Sequence, residues 1–406
     1  MNRSLRLFLI VTAMAALAIV SILISACASN AQPTPTPTRT PRPAGATPAA
    51  TAPPAVVVPS PTHTPAPTNT RAASPTVPPT PSAVPSATAT ATPPARAANA
   101  NPLTGLPVSD PKVLVRRPLF VAVGNDPEAR AVHYGFTEAD LVYEYIMEGR
   151  AVTRFTLAFL ANESERIGPL RSGRLVNFHL TPQYGGALAV SGAQGQINWF
   201  LTFKMAAPYL NVDLDDPSQV KYAYNIWGLA PSKDLEYLTR LWTSTDRLRR
   251  WLSDKKAEQD PKLVGFTFSE TAPAGAPAKS ASIPFPAAVT WTYDPTSGRY
   301  LRSMGGAAHK DGASGKQLSA ANVIIQTVAH EKTEYWEDAI STSIRIVTVG
   351  EGPVTILRDG VAIKGTWRAG DTTMPEFFDP AGKPIALKPG NSWFELVAPE
   401  TAVTIQ

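Results

Sequence analysis

Apolar and polar positions divide this chain into three textures. Residues 7–24 are apolar apart from Thr12 and Ser21, residues 28–100 hold almost no large apolar side chain, and from residue 101 short apolar runs alternate with turn residues. Within the third texture, Arg117-Pro118-Leu119-Phe120-Val121-Ala122-Val123-Gly124 is an apolar run bounded by turn formers and predicts a buried strand. Residues 142–148 and 152–159 are rich in strand formers and flank Gly149-Arg150, which predicts a hairpin. Alternation along its first strand would set Glu144, Ile146 and Glu148 on one face. A helix over 138–148, opened by Thr137 and Asp140, is the competing assignment. For the hairpin a three-residue turn through Ala151 is expected, because it buries Phe155 beside Tyr143 and Tyr145 and places Arg154 between the two glutamates. A two-residue turn would send Arg154 to the opposite face.

Further on, the pattern predicts a helix running through His179, a strand over 187–191, an amphipathic helix over 195–205, and helices over 234–242 and 245–255, the last capped by Ser244 or Thr245. Such alternation of strand and helix points to an α/β layer. Beyond residue 283 helical periodicity disappears. Val289-Thr290-Trp291-Thr292-Tyr293, a turn over 294–298 and Arg299-Tyr300-Leu301-Arg302 form a hairpin signature, and strands are expected over 322–328, 343–349, 354–357 and 361–368. The expected class is α+β, with a mixed α/β domain over 101–275 and a β-rich domain over 276–406. The Ala/Pro/Gly-rich stretch 271–282 is the boundary.

The first texture carries Arg3 and Arg6 ahead of its apolar run and ends in Ile24-Ser25-Ala26-Cys27, the only cysteine of 406 residues. Small residues before a cysteine fit a signal peptide over 1–26 with Cys27 as the acylated new N-terminus, as in bacterial lipoproteins. An uncleaved helix long enough to span a bilayer is the alternative. Acyl chains contribute about 0.8 kcal/mol per buried CH₂, so two or three would anchor the chain stably to a lipid bilayer. The expected location is the cell membrane, on its extracytoplasmic face. Residues 28–100, rich in Ala, Pro, Thr and Ser, cannot offset the entropy of ordering and read as a disordered stalk, reaching on the order of 200 Å if extended as polyproline II.

Charge changes the picture of partners. The net charge of +5 is set by six arginines in a first hundred residues that hold no Asp or Glu; without them 31 basic residues face 32 acidic ones. Nucleic acid is therefore not an expected partner of the folded part, and a cell-wall glycan or envelope protein is. No cofactor motif and no metal-site spacing of Cys or His is present, so neither cofactor nor metal is expected. Candidate chemistry concentrates in Glu144, Glu148 and Arg154, and in the loop Glu165-Arg166-Ile167-Gly168-Pro169-Leu170-Arg171-Ser172-Gly173-Arg174. Arg166, Arg171 and Arg174 could present several guanidinium forks to one anion, or pair with Glu144, Glu148 or Glu165 and hold the loop. Two functions follow: a tethered, non-catalytic protein binding an envelope ligand through Glu144, Glu148, Arg154, Arg166, Arg171 and Arg174, or a glycan-cleaving enzyme with Glu144 and Glu148 as acid and base.

These motifs resemble the YerB-like lipoprotein family of bacteria. Asn101-Pro102-Leu103-Thr104-Gly105, the block Val142-Tyr143-Glu144, Glu148-Gly149 and Thr153-Arg154-Phe155, and the block Arg166 to Pro169, Arg171-Ser172 and Arg174 carry the likeness. In the C-terminal half it continues through Tyr293-Asp294-Pro295, His309, Gln317-Leu318, Asn322 to Gln326 and Gly365-Thr366-Trp367. The resemblance implies a two-part domain and an envelope location, and brings no agreed activity. The chain departs from it at Val190-Ser191-Gly192-Ala193-Gln194-Gly195 and at Leu238 to Ser244, where relatives carry a histidine and this sequence does not.

Overall fold

The short apolar runs become strands because most are covered on both faces, which removes the need for a polar side. The computed structural model describes residues 97–212, 216–226, 228–229 and 232–406, all within one compact unit. Cys27, the expected signal peptide and the expected stalk up to residue 96 lie outside the described residues. In chain order the main strands are β1 (Leu119–Gly124), β2 (Leu141–Ile146), β3 (Thr153–Phe159), β4 (Ala187–Val190), β5 (Tyr209–Asn211), β6 (Val289–Asp294), β7 (Arg299–Met304), β8 (Asn322–Thr327), β9 (His330–Trp336), β10 (Thr342–Ile346), β11 (Gly350–Arg358), β12 (Val361–Ala369), β13 (Glu376–Phe378) and β14 (Ser392–Val397). The longer helices are α1 (Leu175–Gln183), α2 (Gly195–Phe203) and α3 (Thr245–Asp254), the last capped by Ser244 Oγ, which accepts from the Arg247 amide as expected.

Among the described residues eleven strands form one sheet, in the order β13-β12-β11-β8-β14-β2-β3-β1-β4-β5 with 276–277 beside β12. Thus β8 and β14, from beyond the expected boundary near 275, share a sheet with β1 to β5. The segment 271–282 separates two textures of sequence that meet in one layer. A second sheet holds β6 and β7 with 280–283, 307–308, 319–320 and 404–405. The N-terminal part is mixed α/β and the described residues after 276 carry strands without helix, as the sequence pattern implies.

Alternation assigns the two faces of the large sheet. Val121, Val123, Val142, Phe155, Leu157 and Trp393 pack on α3 and on Trp291 and Tyr300 of the second sheet. Phe120, Ala122, Tyr143, Tyr145, Leu188 and Phe394 pack on α1 and α2. Asn101, in the Asn-Pro-Leu-Thr-Gly motif, ties the segment 101–105 to this sheet: its side chain donates to Asp140 at 3.0 Å and accepts from the Leu103 amide at 2.9 Å. Gly105 ends that turn at φ 70°, with the Phe268 ring 2.5 Å from where a Cβ would stand.

Three expectations are corrected. Residues 234–242 are not one helix but a 3₁₀ segment (Lys233–Leu238) followed by a short strand, because Leu241 and Trp242 pair with Tyr224 and Asn225. The competing helix over 138–148 does not form; 141–146 is strand. The hairpin register is Glu144↔Phe155, Tyr145↔Arg154 and Ile146↔Thr153. That is the register of the shorter turn, reached through a longer one: the Met147 amide donates to Val152 O at 3.0 Å, and residues 148–150 coil with Gly149 at φ 69° and Arg150 at φ 54°.

Candidate functional site

Strands β1, β4 and β5 run parallel, as do β2, β14 and β8, and β3 lies antiparallel between β2 and β1. The C-terminal ends of β1, β2, β4 and β5 and the start of β3 therefore lie along one edge, the usual place for a ligand on an open α/β sheet. Segment 168–173 crosses this edge, with the Arg171 amide donating to Ala122 O at 3.0 Å and the Ser191 amide to Arg171 O at 3.0 Å. Gly124 permits the crossing, since a Cβ there would meet Arg171 Cγ at 2.5 Å.

Three arginines gather here. Arg171 Nε pairs with Asp126 at 3.2 Å, and Arg174 grips Glu148 with two bonds of 2.9 and 2.6 Å. Arg154, opposite Tyr145 and Gly124, is 1% exposed. Its Nε and Nη1 have no hydrogen-bond partner, and among the described residues no carboxylate pairs with it. Burial, then the like charges of Arg174 and Arg171, push its guanidinium down to about 9. Behind it Asn177 and Tyr145 share the Thr156 hydroxyl, both at 2.9 Å. Helix α1 starts at Arg174, an N-cap whose side chain has no oxygen to receive the first-turn amides, so the helix adds its positive end to the same edge.

Register overturns the shared carboxylate face. Glu148 lies in the turn beyond β2, and Glu144 points to the opposite side of the sheet from Arg154. There Glu144 is fully buried, accepting from Thr153 Oγ1 at 2.6 Å and paired with Arg302 of β7. The network continues from Arg302 Nη1 to His309 Nδ1, from His309 Nε2 to His133 Nδ1 at 2.7 Å, and from His133 Nε2 to Gly124 O at 2.7 Å. The carbonyl at its end fixes every proton: His133 must donate from Nε2, so its Nδ1 accepts from His309, whose Nδ1 accepts from Arg302. Both rings are held neutral, His133 pushed down to about 3 by burial, and His309 well below its usual value by burial and by Arg302. Glu395 of β14 stands beside Glu144 and accepts from Trp291 Nε1 at 2.8 Å. Burial and the Glu144 charge raise its carboxyl far above the usual range, and its Oε2 has no hydrogen-bond partner.

Arg166 joins neither group. Its guanidinium lies 4.8 Å over Tyr134 and 5.7 Å from Trp242, beside a concavity shared with Glu138, Glu163 and Tyr224. Of the predicted site residues, then, Glu148, Arg154, Arg171 and Arg174 come together while Glu144 and Arg166 do not. Sequence reading missed Arg302, Glu395 and His133. The signal was a lone acid in the apolar run Trp393-Phe394-Glu395-Leu396, which a buried strand tolerates only with a partner. Among the described residues no three His, Cys, Asp or Glu side chains are grouped to hold a metal ion.

Residues 103–256 match the N-terminal domain, and 281–394 the C-terminal domain, of a family described as proteins of unknown function (DUF3048), and the chain belongs to that family. A relative is the YerB protein of Bacillus subtilis strain 168, named as a presumed lipoprotein, which is 27% identical over 316 residues covering 75% of this chain and 88% of that protein. The crystal structure of YerB has the same fold, with a TM-score of 0.62 at 24% identity over 75% of this chain and 98% of the other.

Proposed function

We propose that this protein is an extracytoplasmic lipoprotein, anchored in the cell membrane through acyl chains on Cys27, whose folded part binds an anionic envelope ligand at the edge formed by Arg154, Arg171 and Arg174. One observation carries the reading: Arg154 is a buried cation with two N–H groups unpartnered and no carboxylate of its own. An unpaired buried charge is costly, and an oxyanion accepting both N–H groups would remove that cost. The tether rests on the residues before Cys27 and on the name of the Bacillus relative. Glycan cleavage by Glu144 and Glu148 loses its support, since the two point to different sides of the sheet and each is held by an arginine.

The test is co-sedimentation of the purified mature chain with peptidoglycan sacculi, with released sugar assayed in the supernatant. Wild type should pellet, Arg154→Gln should stay soluble, and Arg166→Ala should pellet like wild type. Soluble muropeptides that disappear in Glu148→Gln would overturn the binding reading. For the tether, Cys27→Ser should release the protein or leave a larger precursor in the membrane, whereas unchanged size and retention would refute acylation.

A further inference from the structure

The hairpin of β9 and β10 forms a sheet of its own, paired with neither of the large ones. Its tip is held by the Asp338 carboxylate, which accepts from the amides of Ile340 and Ser341 at 2.8 and 2.7 Å, and by the Glu337 amide on Ser341 O at 2.9 Å. This tip rests on the β2–β3 turn: Ser341 Oγ is 3.2 Å from the point a Cβ on Gly149 would occupy, and β10 packs on α1 and on the 148–150 turn. Farther back, the Tyr335 ring lies 5.4 Å from Phe200 of α2 and fastens the hairpin to that helix. Glu337 thereby stands beside the arginine edge, with no ion pair to Arg154 or Arg174. One of its oxygens accepts from Ser343 Oγ of β10, and its carboxylate lies in the field of Arg174, Glu148 and Arg154.

Charge balance gives the placement a meaning. Asp126 answers Arg171 and Glu148 answers Arg174, which leaves Arg154 as one positive charge in excess. Glu337 supplies the missing negative charge from the hairpin, so the edge is neutral without any ligand. An outside oxyanion arriving at Arg154 would create one negative charge too many unless Glu337 withdraws or takes up a proton.

We propose that the β9–β10 hairpin is a lid over the arginine site, with Glu337 as a counter-charge that lies in the field of Arg154 without bonding to it, and that a singly charged oxyanion, a carboxylate or a phosphodiester, bonds to Arg154 by displacing the lid. The proposal rests on the anion-site reading above. A site whose open form is only partly populated binds more weakly by that fraction, so the lid sets the apparent affinity. Burial raises the Glu337 carboxyl, opposed by Arg174 and Arg154 and aided by Glu148, so the counter-charge weakens as pH falls. Ligand binding should tighten accordingly.

The full-length chain in detergent would be titrated calorimetrically with lactate and, separately, with dimethyl phosphate, both singly charged from about pH 5 to about pH 8. Glu337→Gln should tighten binding by about tenfold, the gain when a site open a tenth of the time stays open, and should flatten the tightening that wild type shows toward low pH. Arg154→Gln should bind neither anion, alone or combined with Glu337→Gln. Its folding is checked by circular dichroism, and Glu337→Gln changes a side chain at the hairpin tip, away from both cores. A response confined to one anion supports the lid and identifies the ligand class. If Glu337→Gln binds no tighter than wild type while Arg154→Gln abolishes binding, the lid is refuted and the site stands. If Glu337→Gln binds neither anion, or Arg154→Gln binds as wild type does, both are refuted.

Discussion

Arg154 and Arg302 are the same residue type at the same depth, 1% and 0% exposed, on opposite sides of one strand, and the protein treats them differently. Arg302 has a carboxylate in Glu144, an acceptor in His309 and the Trp393 ring 4.7 Å from its guanidinium carbon. Arg154 has a hydroxyl-lined wall behind it and two arginines beside it. The first arrangement finds its counter-charge within the fold, leaving only Nε without an acceptor, and joins the second sheet to the first. The second is left one partner short, at the edge where strand ends and a helix start converge. Burial of a charge is thus a sign of architecture when the partner lies in the fold, and of binding when it does not.

The comparison breaks most visibly at Arg302. Arg302→Met leaves Glu144 buried without its cation, and should cost about 3 to 5 kcal/mol in urea unfolding, as removal of one member of a buried pair does. A loss below about 1 kcal/mol would mean that the network is incidental to the fold.

Next in size is a pH effect from the same network. His133 is held at about 3 in the folded state against an ordinary value of about 6.5 in the unfolded chain. Between those values the unfolded chain binds the extra proton, so the contribution is present above about 6.5 and is lost as pH falls toward about 3. It can reach about 1.4 kcal/mol per pH unit. His133→Gln should show a shallower acid slope of unfolding free energy than wild type over that window. Asp140, raised to about 6 by burial, acts with the opposite sign and remains in both proteins, so the difference between slopes isolates the histidine.

The smallest effect sharpens the contrast by its sign. Arg154→Met, measured without added anion, should leave stability unchanged or raise it by about 1 kcal/mol, since a flexible apolar side chain replaces a buried charge that lacks a partner. A loss above about 2 kcal/mol in thermal unfolding would show that Arg154 is paired after all.

How much of this was readable in advance follows the range of the interactions. The strands around Val121, Thr153 to Phe159 and Val323 to Ile325 announce themselves by local composition, and so does α3 through the Ser244 cap. The gathering of Arg171 and Arg174 with Arg154 was legible as a charge-rich loop following a hairpin. Which face Arg154 takes was not, because Glu148-Gly149-Arg150-Ala151 names no single turn type, and one residue of slip inverts every side chain. Arg302 reaches Glu144 across 158 positions and Trp291 reaches Glu395 across 104, separations at which composition carries no pairing information. The same holds for Leu241 and Trp242, which look helical until a distant strand claims them.

One feature of the large sheet bears on how the chain acquires its structure in time. Strand β14, formed from residues 392–397, lies at the middle of the sheet, parallel to β2 on one side and to β8 on the other. The central position is thus filled by a segment synthesised well after the two strands that flank it. Until it arrives, β2 and β8 present a six-residue slot with unpaired amides and carbonyls on both sides. Chains interrupted before residue 392 would keep that slot open and offer it to any extended segment, including the β14 of a neighbouring copy. Contacts of such long sequence separation also slow folding. Closure of the large sheet therefore waits for residues 392–397, and a short peptide spanning them is the natural reagent for rescuing a truncated chain.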